Sequence, residues 1–340
     1  MTRLRTCIAL ACVALAISCG KTESGAKTKP LTKVRVNFNP AMTYAPFFVA
    51  RDEGFFADEG IDAELVSLDA NSALVALTTG KLDVLSGPIR SGIFNMMLKG
   101  VPIQIVADRG HFEHRDCVTE AFAAPPALAD AIAAKGGDLR GRQFALIRGG
   151  FTEFMIDKLL ASRHLTRADV SFVQVPQGDS FTSGNQVLDA IRYVQEPTLS
   201  NHLTNGRLKV VAAADLLAPG TQHGVVLYGK RLLQDDPDLG RRFMRAYLRG
   251  ARRYNEGKTG RNIAILSKGT RLPAEIIRRS CWLPISSDGV VRVENIQELL
   301  DWSRKLGYLQ ADVPVAQWWN SSFIDAANKS LGPAPPSTLR

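Results

Sequence analysis

After Cys19 the 340-residue sequence has no hydrophobic run of bilayer length, which excludes further membrane-spanning helices. Cysteine is scarce. Cys7, Cys12 and Cys19 lie near the start, so Cys117 and Cys281 alone remain for the body of the chain. Two cysteines cannot make a disulfide scaffold. Two separate buried thiols are expected, with a single bridge as the alternative in an oxidising compartment. Catalytic signatures are missing too: there is no G-x-S-x-G, no H-E-x-x-H, no Walker loop and no G-x-G-x-x-G. No motif points to an enzyme or to a cofactor.

What is present begins with an export segment. Arg3 and Arg5 give a positive start, Ile8 to Ile17 a short apolar run, and Ala16-Ile17-Ser18-Cys19 closes it. Residues 1–18 therefore read as a signal peptide. Ser18-Cys19 resembles a bacterial lipobox, with Ala16 where leucine is usual, and the resemblance implies lipidation of Cys19 and a membrane anchor through that lipid. Residues 19–32, largely GKTESGAKTKP, have little to bury and read as a flexible tether. Residues 332–340, with Pro333, Pro335 and Pro336, read as a disordered tail. The formal charge is +9, and +7 once Arg3 and Arg5 are removed. Export argues against nucleic acid as the partner of this surplus, and an anionic membrane surface accounts for it.

With 45% hydrophobic residues the chain can bury a large core and should divide into two domains. Short apolar strands alternate with helices. Val34 to Phe38, Ile61 to Leu68, Leu82 to Leu85 and Pro102 to Ala107 read as strands; Pro46 to Arg51, Ser72 to Thr79 (capped by Asn71) and Ile89 to Leu98 read as helices. A second series follows: strands at Val118 to Ala123, Phe144 to Ile147, Val170 to Val175, Ala190 to Val194 and Leu208 to Ala213, with a helix from Thr152 to Ser162. From Gly224 a strand leads into helices. Such alternation calls for α/β sheets with helices on both faces. Within Asp238 to Asn255, Phe243, Met244, Tyr247, Leu248, Ala251 and Tyr254 share one helix face, and Arg241, Arg242, Arg245, Arg249, Arg252 and Arg253 cover the other. A solvated face on a packed helix is expected there, with a lipid or permease contact as the alternative.

Tyr44 to Leu68 (YAPFFVARDEGFFADEGIDAELVSL) resembles the opening of binding proteins of the nitrate, sulfonate and taurine class, whose relatives bind thiamine pyrimidine precursors. Thr79 to Val84 (TGKLDV), Asp138 to Arg142 (DLRGR), Gln195-Glu196-Pro197, Asp235 to Leu239 (DDPDL) and Leu306 to Leu309 (LGYL) follow in family order. Simpler physics covers many of these residues, since Gly54, Gly60 and Gly80 suit turns and Phe55 and Phe56 a core. The resemblance implies an α/β, bilobal type II periplasmic-binding-protein fold, two doubly wound lobes joined by two crossover strands. Lobe I is expected over residues 33–110 plus 222–331, and lobe II over 111–221. It further implies a monomeric extracytoplasmic lipoprotein, not an enzyme, that captures a small organic solute in the interlobe cleft. The solute would be a sulfonate, another organic anion or a heteroaromatic vitamin precursor, delivered to the permease subunits of an ABC importer.

Loops that end strands and begin helices present free N–H groups and partial positive charge to a ligand. Four are legible, and the family resemblance places the matching loops in the cleft. They contribute Asn39, Met42 and Tyr44; Gly87 and Pro88; Gly149, Gly150, Phe151 and Thr152; and Glu196. Tyr44 and Phe151 suit stacking on an organic ligand, or ordinary core packing. Gly149-Gly150 suits either close approach to an acid or a tight turn, and Glu196 either a ligand contact or a helix cap. Arg109, in the charged stretch Asp108 to Arg115, could hold an anion bidentately. Most of that stretch is expected to be solvated hinge charge. His111 and His114 lack a third ligand, so no metal is expected. Two alternatives share the fold. One is an enzyme, either thiaminase-like with Cys117 as nucleophile or pyrimidine-synthase-like, although the latter's cysteine cluster is lacking. The other is a ligand sensor for a membrane kinase.

Overall fold

The computed structural model describes residues 30–113, 115–175 and 189–339. The expected signal peptide, Cys19, most of the tether and His114 lie outside the described residues. Among the described residues the strands are β1 (Thr32–Phe38), β2 (Ile61–Ser67), β3 (Val84–Pro88), β4 (Gln104–His111), β5 (Glu120–Ala124), β6 (Gln143–Leu146), β7 (Ser171–Gln174), β8 (Arg192–Gln195), β9 (Lys209–Ala213) and β10 (Gln222–Tyr228). The principal helices are α1 (Ala45–Asp52), α2 (Ala70–Thr78), α3 (Ser91–Leu98), α4 (Phe151–Ser162), α5 (Thr198–Thr204), α6 (Pro237–Tyr254) and α7 (Val293–Lys305).

The larger sheet has the order β2-β1-β3-β10-β4. β1 pairs in parallel with β2 and β3, whereas β10 runs antiparallel to both β3 and β4. The chain thus leaves this sheet after β4, builds β5 to β9, and returns beside its point of departure. The second series forms the sheet β8-β5-β9 and the parallel pair β6-β7, linked by a bridge between Phe144 and Ile191. β1 shows why alternation reads as a half-covered strand: Val34 and Val36 are buried while Lys33 and Arg35 are exposed. β10 is buried along its whole length because it lies between two neighbours under helices on both faces.

Several boundaries move. β3 runs on through Pro88, so Gly87 and Pro88 belong to the strand, opposite Val225 and Gly224, rather than to a loop. β4 extends to His111, carrying Asp108, Arg109 and His111 into the sheet. The cap of α2 is Asp69, whose Oδ1 accepts from Asn71 N at 3.0 Å and Ser72 N at 3.1 Å, rather than Asn71.

Helix α6 packs its apolar face against α1, with Phe47 and Tyr247 ring centres 4.9 Å apart. Its arginines are matched by acids. Arg245 forks onto Glu59 at 3.0 and 2.6 Å, Arg249 meets Asp58 at 2.9 Å over the Phe55 ring, Arg242 meets Asp238 and Arg253 meets Glu256. Arg252 is tied to Asn328 and to the carbonyls of Leu331 and Gly332. The C-terminal stretch makes contacts of its own: Thr338 N and Oγ1 donate to Asn255 O at 2.9 and 3.0 Å.

Candidate functional site

Unpaired polar groups gather where β4 and β10 lose register. Pairing steps from Gln222–His111 to Gly224–Gly110 and then to Val225–Asp108, so His223 on one strand and Arg109 on the other have no opposite number. Bulges of this kind re-aim side chains, and both residues end up buried, each 1% exposed. Arg109 Nη1 donates to Thr43 Oγ1 at 2.6 Å, and the guanidinium stands 4.8 Å from the centre of the Tyr44 ring. Its Nε and Nη2 have no hydrogen-bond partner. The guanidinium packs against Gly224, where a Cβ would lie 2.5 Å from both nitrogens. Tyr44 is fixed by its hydroxyl, which donates to Ser86 O at 2.8 Å, and Ser86 N donates to Asn37 Oδ1 at 2.7 Å.

Within electrostatic reach of Arg109, the chain's second series of elements presents Glu120 on β5 and Tyr193 on β8. The Tyr193 hydroxyl donates to Glu120 Oε2. Glu120 Oε1 lies 3.2 Å from His223 Nε2, yet neither that oxygen nor His223 Nδ1 has a hydrogen-bond partner. Asp215 Oδ2 accepts from Thr119 N and Oγ1 at 2.9 and 3.1 Å, which leaves its Oδ1 unpartnered. Burial raises the Glu120 carboxyl to about 8, against the opposing pull of Tyr193 and Arg109. Burial and the Arg109 charge push His223 well below its ordinary range. The 3.2 Å approach therefore joins two neutral groups rather than an ion pair. Phe151 forms an aromatic wall, its ring 5.0 Å from His223, 6.0 Å from Phe112 and 6.1 Å from Tyr193.

Gly149 and Gly150 make a different close approach. Gly149, at φ +68°, offers its carbonyl to Ser91 N at 3.2 Å and Ser91 Oγ at 3.0 Å, at the start of α3, and Gly150 bridges Arg90. A Cβ on Gly149 would lie 2.9 Å from Ser91 Oγ. Beside it the buried Glu153 accepts from Gly149 N, Arg167 and the Tyr308 hydroxyl, and Asp157 accepts from Trp302 Nε1 at 2.7 Å. This ties α4 to α7 and the turn that follows it.

The other expected site residues are dispersed. Asn39 is exposed and reaches the Tyr44 hydroxyl at 3.5 Å; Met42 is in the core; Thr152 is half-buried in the first turn of α4. Glu196 accepts from Ser200 N at 2.9 Å, Ser200 Oγ at 2.6 Å and Cys281 N at 3.2 Å, so its carboxyl serves the first turn of α5. Sequence reasoning missed Glu120, Tyr193, Asp215, His223 and Gly224. The available signal was polarity inside apolar strands, the glutamate of Glu120 to Ala124 and the histidine next to Gly224.

Three expectations are corrected. The stretch from Asp108 is not solvated hinge charge. Asp108, Arg109 and His111 are all buried, because β4 carries them into the sheet and Gln222, Ser286 and Tyr247 bond to Asp108. Burial would lower His111, but Asp108 at 3.3 Å and Glu113 at 2.9 Å raise it to about 9. Cys117 and Cys281 are not separate thiols but a disulfide, since the fold brings their Cα atoms to 5.7 Å. Cys117 is then no free nucleophile, which removes the thiaminase-like role for it.

The family model described as NMT1/THI5 like matches residues 41–256. No curated protein sequence matches significantly. The ligand binding component of an ABC-type import system from Staphylococcus aureus, with zinc bound, superposes at TM-score 0.72 and 14% identity, over 87% of this chain and 99% of that one. The periplasmic nitrate-binding protein NrtA from Synechocystis PCC 6803 gives 0.70 and 16%, over 91% and 92%. The alkanesulfonate-binding protein SsuA from Xanthomonas axonopodis pv. citri, bound to MOPS, gives 0.66 and 15%, over 86% and 100%. At such identities the likeness establishes the periplasmic-binding-protein fold.

Proposed function

The chain belongs to the NMT1/THI5-like family, and on that premise we propose that it is an extracytoplasmic solute-binding protein of an ABC importer. It captures a small organic anion between its two lobes and hands it to the permease. Arg109 carries the proposal. A buried guanidinium with two unpartnered N–H groups costs about 1–3 kcal/mol for each buried group left unsatisfied. A carboxylate or sulfonate matches its planar fork. The nitrate and alkanesulfonate specificities named for NrtA and SsuA support an anion. The wall of Phe151, Phe112 and Tyr193 favours one with an organic body. Lobe I comprises residues 33–110 and 222–331 and lobe II residues 111–221, a division supported by the return of β10 beside β4. The Cys117–Cys281 bridge supports an oxidising, exported location, and Cys19 anchors the protein through lipid.

Mass spectrometry of the solute that co-purifies, followed by calorimetry, tests this. Arg109→Ala weakens binding of that anion by about 2–5 kcal/mol, and Arg109→Lys restores only part, because an ammonium has no planar fork. Unchanged affinity in Arg109→Ala refutes the anion reading. Cys19→Ser moves the protein from the membrane to the soluble fraction, and unaltered partition refutes the anchor.

A further inference from the structure

The step in register between β4 and β10 is held by a side chain. Gln222 is buried, 1% exposed, and both ends of its amide are engaged. Oε1 accepts from Arg292 N at 2.8 Å, just ahead of α7. Nε2 donates to Gly110 O at 3.0 Å and Gly224 O at 2.8 Å, and also meets Asp108 Oδ1. Gly110 and Gly224 face each other where the register shifts, so one amide bonds a carbonyl on each strand at the bulge. Asp108 completes the tie: its Oδ1 accepts from Gly110 N at 2.8 Å, and its Oδ2 from Ser286 N at 2.6 Å. The same two glycines bracket Arg109. Gly110 follows it in β4 at φ +138°, a conformation that suits glycine, so the strand leaves regular geometry directly after the arginine. Gly224 packs on its guanidinium, where a Cβ would lie 2.5 Å from Nε and Nη2.

We propose that Gln222 is the positioning residue of the anion site: it sets where the Arg109 fork points and touches no solute itself, because its polar atoms are all committed within the protein. This rests on the anion-binding role of Arg109 proposed above. The Arg109 side chain bonds to Thr43 Oγ1 and lies over the Tyr44 ring. The rest of its direction comes from the backbone at Gly110 and from the face of Gly224, and Gln222 holds both. A guanidinium grips an oxyanion through two parallel N–H bonds, so its grip depends on angle, whereas an ammonium acts as a point charge. Removing the Gln222 amide frees two carbonyls at two glycines, the residues with the widest conformational freedom. The charge of Arg109 then stays in place while its fork loses its aim.

Two readouts separate aim from stability. In proton–nitrogen correlation spectra the Arg109 Nε–H signal is identified by its loss in Arg109→Lys. Gln222→Met, close in size and without the amide, shifts or broadens that signal in protein free of solute. Calorimetry with nitrate, ethanesulfonate and benzenesulfonate then gives the consequence. For each probe that binds the wild type, Gln222→Met weakens binding about tenfold or more, but by no more than about twofold in the Arg109→Lys background, which has no fork to aim. A general loss of stability would weaken both backgrounds by the same factor, and that result overturns the proposal. An unmoved Nε–H signal overturns it as well, while leaving the anion reading intact. If none of the three probes binds the wild type, the anion reading falls and the positioning role with it. If Gln222→Met lacks a cooperative urea transition, Gln222→Asn, which keeps the amide on a shorter stem, is measured in the same way with the same expectations.

Discussion

Gly224→Ala isolates the fork of Arg109 without touching its charge. The added Cβ would lie 2.5 Å from Nε and Nη2 and 2.9 Å from Cζ of Arg109, well inside contact distance. Residue 224 does not adopt a positive φ, so alanine brings no backbone strain and its whole effect falls on the guanidinium. That group must leave its 2.6 Å bond to Thr43 Oγ1 and its place 4.8 Å over Tyr44. Overpacking of this kind costs about 1–3 kcal/mol of stability. Binding suffers more. With the fork displaced, the paired anion loses about 2–5 kcal/mol, or roughly 30-fold to several thousand-fold in affinity. Urea denaturation gives the first quantity and calorimetry with the co-purified solute the second. Gly92→Ala is the control, since its Cβ would meet only Leu74 Cδ2 at 3.9 Å. Alanine is also favoured there by about 0.5–1 kcal/mol, in helix α3. Wild-type affinity in Gly224→Ala would show that the solute does not engage Arg109.

Two further outcomes follow from the scaffold. The Cys117–Cys281 bridge closes a loop between residues 164 apart, for which chain entropy sets an upper stabilisation of about 5 kcal/mol. The Cys117→Ser, Cys281→Ser double variant should lose about 2–5 kcal/mol in urea under oxidising conditions, and equal stability would show that the bridge does not form. His111, raised from 6.5 to about 9 by Asp108 and Glu113, contributes stability fully present below pH 6.5 and lost as pH rises through 9. It amounts to roughly 3 kcal/mol at most. Arg292 also faces this cluster, 3.6 Å from Glu113. His111→Asn should flatten the stability profile between pH 6.5 and 9, and an unchanged slope would place the proton elsewhere.

Legibility in the sequence follows the range of the interaction. Period-two alternation around Val34 and Val36 and the arginine face of α6 are local, so strand, helix and their exposed sides can be read directly. Tyr44 and Arg109 stand out because polar residues occupy a turn and a strand end. The burial of Arg109 is another matter. It depends on a bulge against a strand more than a hundred residues later in the chain, and no local pattern encodes that register. For the same reason Glu120, His223 and Gly224 read as ordinary strand residues until β10 lies beside β4. Gly149-Gly150 is legible as a close approach, but what approaches is Ser91, a choice made by tertiary packing. The disulfide needs two residues 164 apart to meet, which spacing does not reveal.

Helix α3 has no side-chain cap of its own at Arg90, and its first donor is served by Gly149, from the turn that precedes α4. A helix that borrows its cap is complete in only one mutual position of helix and turn. If they part, water meets both the freed N–H and the freed carbonyl, so the contact is worth only about 1 kcal/mol. It works as a detent rather than a lock: it fixes where the turn comes to rest on the helix without supplying the energy to hold it there.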